Sequence, residues 1–126
     1  MSSQTLLDLK AWDAAEPILR ECLAIREKAL PDHWTTFNTK SMLGAVFLGQ
    51  KKLTEAEPLL LAGYRGMKER ETSIPQQVKA QRFSAALERL VQFYEATSNP
   101  GEAAAWRNKL DAVRTAESKP TSSEDK

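Results

Sequence analysis

The sequence predicts an all-α fold of stacked, antiparallel helix pairs, and three observations support that prediction. First, the chain repeats itself: Asp-Ala-Ala-Glu-Pro-Ile-Leu at residues 13–19 returns as Thr-Glu-Ala-Glu-Pro-Leu-Leu at residues 54–60, 41 residues later. A weaker third copy begins at Gly101, and its Ala103 follows Ala56 by 47 residues. Second, apolar residues recur at helical spacing, and no stretch alternates with the period of a strand. Third, repetition at such a period is typical of units that bury their apolar faces only by stacking on one another.

The composition fits a single compact domain, or a piece of a longer array, and excludes several classes of protein. The net charge of +1 gives no reason to expect nucleic acid or an anionic membrane as a partner. The single cysteine, Cys22, excludes an internal disulfide, and its place on an apolar helix stripe favours a packed thiol. Neither a signal peptide nor an apolar run of about 20 residues is present, so a reducing, cytoplasmic setting is expected.

Helices one and two are predicted over Asp13–Ala29 and Trp34–Gly49. Asp13 and Glu16 have the spacing of a capping box, and Pro31 ends the first helix. The apolar spacing of helix one predicts a buried stripe of Ala15, Leu19, Cys22, Leu23 and either Ile25 or Arg26.

Helices three, four and five are predicted over Thr54–Thr72, Gln76–Ala96 and Pro100–Arg114. Thr54 and Glu57 repeat the capping box, and Asn99 is the expected cap of helix five. The connections between helices two and three, and between four and five, are short enough to make each pair antiparallel. Residues 116–126 carry no large apolar side chain and are predicted to be a disordered polar tail.

The residues at matching positions of the copies resemble the tetratricopeptide repeat. The motif residues are Leu43, Gly44, Phe47, Ala56 and Leu60 in the second copy, and Leu90, Tyr94 and Ala103 in the third. Val91 replaces the small residue of the third copy, and the first copy offers only Ala15 and Leu19. The period exceeds the usual one of about 34 residues, so the chain resembles the longer, kinesin light chain-like type found also in bacterial signalling proteins. The resemblance divides a helical domain over residues 1–115 into repeats at about 5–31, 34–72 and 76–114.

The resemblance implies a right-handed superhelix of about two and a half repeats, a TPR-like α-solenoid. Its concave face would bind a peptide or a partner protein, without a cofactor, a metal or enzymatic activity. The first helix of each pair would line that face with Asn38, Ser41, Met42, Ala45, Leu48, Ala85, Glu88, Arg89, Gln92 and Glu95. An ordinary solvated helix face is the alternative interpretation of these residues.

An enzyme is the competing class, and the sequence offers little for it. One histidine and one cysteine cannot build a zinc site, and no P-loop or dinucleotide fingerprint is present. His33 falls in a turn, where a solvated histidine is expected. Trp12 and Trp106 are expected to be packing residues, and Trp34 is the tryptophan expected to be exposed.

Self-association is the third possibility, because about three repeats are needed for independent stability. Helix one lacks its partner, which would leave Ala15, Leu19, Cys22 and Leu23 partly uncovered. Three arrangements would cover them: further repeats before Met1, a homodimer through helix one, or residues 2–9 folded back as a cap.

Overall fold

The computed structural model describes residues 11–118, which form five α-helices and one short 3₁₀ helix. The elements are α1 (Trp12–Ala29), α2 (Trp34–Gly49), α3 (Leu53–Glu69), the 3₁₀ helix (Glu71–Ser73), α4 (Gln76–Ala96) and α5 (Pro100–Ser118). No strand occurs in this part of the chain, and the prediction of an all-α fold is confirmed.

The predicted helix boundaries agree with the observed ones to within a turn. α2 and α4 span the predicted residues, whereas α1 and α3 each begin one residue earlier. α3 gives way to the 3₁₀ helix, and α5 continues about one turn beyond its predicted end. Residues 1–10 and 119–126, which contain the predicted cap and most of the predicted tail, lie outside the described residues.

The capping boxes predicted for α1 and α3 are wrong. The cap positions are Ala11 and Lys52, and neither helix has a side-chain cap bond. Because each helix starts one residue early, Asp13 and Thr54 fall inside the first turn. At α5 the prediction is supported, since the Asn99 side chain accepts the Glu102 N–H at 3.4 Å.

The helices pack in the order of an antiparallel repeat. α2 pairs most extensively with α3, and α4 with α5. α1 packs on α2 and α3 packs on α4, so each second helix also contacts the first helix of the following pair. α2 and α4 are themselves neighbours. α2 is therefore the central helix, and it carries eight buried residues between Thr36 and Phe47.

Glycines in α3 allow α2 to approach closely. A methyl group at Gly63 would lie 2.7 Å from the Cβ of Ser41 and 2.8 Å from the carbonyl oxygen of Phe37. One at Gly66 would overlap the Phe37 ring. The two helices are thus closer than any pair with side chains at these positions could be.

The large aromatic residues pack inside the molecule. Trp106 is buried and meets Tyr64 edge to face, with ring centroids 5.3 Å apart. Trp12 is half-buried against Gly49. Trp34, expected to be exposed, is instead half-buried on a second core cluster built around Met67.

Candidate functional site: the groove between α2 and α4

A groove of about 440 Å³ opens between the carboxyl-terminal halves of α2 and α4, beside the start of α1. Its lining residues are Trp12, Ala45, Leu48, Gly49, Gln92 and Ala96. Three of them, Ala45, Leu48 and Gln92, belong to the predicted concave face. The walls are mostly apolar, and none of the six residues is ionisable.

Trp12 reaches the groove because Gly49 has no side chain. A methyl group at Gly49 would overlap the Trp12 indole, so the ring lies directly on the last turn of α2. Trp12, Gly49 and Ala96 were not predicted to line the groove. Their sequence signal is weak, because the indole and the glycine are 37 residues apart and meet only through the packing of α1 on α2.

Two predicted groove residues are instead buried beneath it. Ser41 and Met42 lie in the interior, because Ser41 packs against Gly63 of α3. The Arg89 guanidinium donates to Ser41 Oγ at 3.0 Å and thereby joins α4 to α2. The half-buried Asn38 amide donates to the Met42 sulfur at 3.6 Å. The bond between Arg89 and Ser41 therefore holds the two helices together, whereas the contact of Asn38 with Met42 lies within α2.

The acidic residues predicted for the concave face lie on the α5 side of α4. Glu88 pairs with Arg114 at 3.5 Å, and Glu95 pairs with Arg107. Ala85 is half-buried. The carboxylates therefore brace α4 against α5, and the groove itself has little charge.

A family model described as the tetratricopeptide repeat matches residues 3–35. This match supports a tetratricopeptide repeat protein. The match falls on the first copy, which has the fewest motif residues, and it includes the whole of α1. No curated protein and no solved structure matches the chain. Tetratricopeptide repeats generally mediate protein–protein binding.

Glutamates at matching positions of the first two copies connect successive helix pairs. Glu16 of α1 accepts from the Gln50 amide at 2.9 Å and from Arg20 Nε at 2.7 Å. Glu57, at the same position of the next copy, accepts from the Tyr94 hydroxyl at 2.8 Å. In each case the second helix of one unit is tied to the end of the following first helix. Both glutamates therefore bond to the following repeat and not to the start of their own helix.

The same contacts displace two pKa values. The hydrogen bonds from Gln50 and Arg20 lower the pKa of Glu16 below its ordinary value of 4.5. Burial, reinforced by the Glu57 carboxylate, raises the pKa of Tyr94 to about 12. Neither side chain lines the groove, so both pKa shifts arise from the contacts between successive repeats.

The residues predicted for self-association are mostly covered within the chain. Ala15 and Leu19 are buried in the main core, and Leu23 packs beside them. Cys22 is half-buried, so its thiol is partly packed and partly uncovered. The uncovered apolar side chains of α1 are instead those of Ile18 and Ile25.

The choice between Ile25 and Arg26 for the buried stripe is settled by a hydrogen bond. Arg26 faces α2 and donates to Thr39 Oγ1 at 3.1 Å, which turns Ile25 outward.

His33 is exposed, and its Nδ1 accepts the Thr35 N–H at 3.2 Å as the cap of α2.

Other kinds of site find no support among residues 11–118. No three histidine, cysteine, aspartate or glutamate side chains there are grouped so that they could hold a metal ion. No helix in that part of the chain has the length and apolarity to cross a membrane.

Proposed function

We propose that this chain is a protein–protein interaction module whose groove between α2 and α4 receives a peptide or a partner segment. The observation that carries this proposal is the groove itself. Its volume of about 440 Å³ falls in the range of roughly 300–1,000 Å³ that is usual for ligand pockets. Its walls are apolar, which suits binding, and it gathers no titratable groups of the kind that catalysis needs.

Contacts around the groove support the proposal that its walls are held in place before a ligand binds. The bond from Arg89 to Ser41 joins the two helices that form the sides. The Trp12 indole rests against the backbone of α2 at Gly49. A site whose walls are held in advance loses little conformational entropy on binding, which favours affinity.

The chemistry of the walls suggests what would enter. Trp12 and Leu48 offer an apolar slot for an aliphatic or aromatic side chain, while the exposed Gln92 amide can both donate to and accept from a peptide backbone. We therefore propose a ligand with one or two apolar anchor residues and no required charge.

Three further predictions accompany this proposal. The long period favours the kinesin light chain-like subtype, which would act as a scaffold. The alternative function is a self-associating or C-terminal capping segment of a larger multidomain signalling protein. A reducing, cytoplasmic setting fits a chain with a single cysteine.

A peptide library displayed on phage, selected on the intact chain, tests the proposal. Peptides that enrich are then titrated calorimetrically against Ala45→Arg, which fills the groove, and against Ala105→Arg. The latter makes the same change at an exposed position of α5 and serves as the control. We expect Ala45→Arg to weaken binding by at least about a hundredfold, since it occupies the slot with a charged side chain. Circular dichroism checks that both variants stay folded.

Two results would contradict groove binding. One is a library that yields no peptide with an apolar anchor. The other is a set of peptides that bind Ala45→Arg and Ala105→Arg equally well, which would place their site elsewhere on the molecule.

A further inference from the structure

An apolar seam runs along the outer side of α1. It consists of Ile18, Cys22, Ile25 and Ala29, at successive spacings of four, three and four residues. At about 100° per residue these four side chains fall within about 60° of the helix circumference. Ile18 is 42% exposed and Ile25 is 59% exposed. A row of uncovered apolar side chains of this kind marks a contact surface.

The corresponding face of α3 is covered by α2. A shift of 41 residues carries Cys22 onto Gly63 and Ile25 onto Gly66, the two glycines against which α2 packs. In α1 both glycines are replaced by larger residues. A helix cannot approach the seam as closely as α2 approaches α3, so the seam requires a wider kind of helix contact.

The spacing of the seam supplies that wider contact. Apolar residues that alternate three and four apart form the interface of two helices packed side by side, with their side chains interdigitated. We propose that the seam of α1 packs antiparallel against the same seam of a second copy of this chain. Such a contact uses the same patch twice, as a twofold dimer requires.

The charges beside the seam favour one register of this dimer. Glu21 and Lys28 lie along the same edge of the seam, and neither forms an ion pair with another residue of 11–118. When Cys22 lies opposite Ile25 of the second copy, Ile18 lies opposite Ala29. Glu21 is then about 3 Å along the axis from the level of Lys28 of the second copy, at 1.5 Å per residue. The symmetry creates this pairing of opposite charges twice.

The competing register is disfavoured by the same residues. Placing Ile18 opposite Ile25 of the second copy brings the two Glu21 side chains level with each other along that edge. Like charges in that position repel, and Lys28 no longer faces an acid. The arrangement of Glu21 and Lys28 therefore distinguishes between two packings that would bury similar apolar surface.

The test is the molar mass of the intact chain by sedimentation equilibrium, under reducing conditions and across a dilution series. We expect a monomer–dimer equilibrium that Ile25→Glu abolishes and that Ala105→Glu, at an exposed position of α5, leaves unchanged. Glu21→Lys and Lys28→Glu should each weaken the dimer by about tenfold at low salt. The double variant Glu21→Lys with Lys28→Glu restores opposite charges and should return the dissociation constant to nearly that of the unmodified chain.

Three results would overturn the proposal. The first is a monomer at every concentration, and the second is a dimer that Ile25→Glu does not break. The third is a double variant as weak as the single ones, which would exclude the antiparallel register. Peptide binding in the groove does not depend on α1 pairing, so a monomer that still binds its peptide would overturn only the dimer.

Discussion

Alanine at Gly63 directly tests the close packing of α2 on α3. The added methyl group would lie 2.7 Å from the Cβ and the backbone nitrogen of Ser41, and 2.8 Å from the backbone oxygen of Phe37. Unstrained carbon contacts lie at about 3.5–4.0 Å, so α2 would have to move away by nearly 1 Å. Two of the three contacts are with backbone atoms, and a change of side-chain rotamer cannot relieve them.

Two opposing terms set the size of the effect. Overpacking of this kind typically costs about 1–3 kcal/mol, and rigid backbone neighbours favour the upper part of that range. Alanine is better than glycine in a helix interior by about 1 kcal/mol, which offsets part of the strain. We therefore expect Gly63→Ala to lower the free energy of unfolding by about 1–2 kcal/mol. At about 5 °C per kcal/mol for a chain of this length, the melting temperature should fall by about 5–10 °C.

The assay is thermal and urea unfolding followed by circular dichroism at one fixed protein concentration. Gly101→Ala is the matched control, because a methyl group there meets nothing within 4 Å. That variant should melt at the same temperature as the unmodified chain or slightly above it. If Gly63→Ala melts as high as Gly101→Ala, the helices are not in the close contact described and the reasoning fails.

Three further substitutions test other contacts. Gly44→Leu should lower the melting temperature by several degrees in calorimetry, since it also forces α2 from α3 at a cost of about 1–3 kcal/mol; an unchanged melting curve would contradict this packing role. The folded chain holds the Tyr94 phenol proton to higher pH than the ordinary pKa of 10.0 allows, so this tyrosine should stabilise the fold below pH 10 and lose that effect as the pH approaches about 12. Urea titrations of Tyr94→Phe, which lacks the bond to Glu57, should show no such loss, and parallel pH profiles would contradict the assignment. Arg70→Ala removes hydrogen bonds to Asp32 and should lower the free energy of unfolding by about 1 kcal/mol. Backbone amides in the turn between α1 and α2 should then exchange faster, and unchanged exchange rates would show that these hydrogen bonds do not hold the turn.

The internal repeat, together with the residues that mark where helices begin, made the fold predictable. Pro75 marks where α4 begins, because the position before a helix needs no intrahelical bond from its backbone nitrogen and therefore suits proline. Asn99 followed by Pro100 marks the start of α5 for similar reasons. Such signals act within a few residues of chain, so one sequence is enough to interpret them.

The candidate site was less predictable because it depends on contacts between distant segments. Family position suggested Ser41 as a groove residue, yet the absent side chain of Gly63 draws Ser41 into the interior. In the same way, Trp12 enters the groove only because Gly49 leaves room for it. A helical period assigns residues to a face, but it does not say which neighbouring helix covers that face.

The internal repeat itself supplies some of the missing information once the structure is known. Equivalent positions of α1 and α3 begin from the same motif, so differences between them show where the two helices have different neighbours. Gly63 and Gly66 of α3 meet a close partner, while Cys22 and Ile25 of α1 occupy the same places and remain partly or largely exposed. Had α1 been shaped to receive a helix as α3 receives α2, small residues would be needed at both positions. Their replacement by larger apolar residues therefore argues that the outer face of α1 meets a different kind of surface from the one inside each repeat.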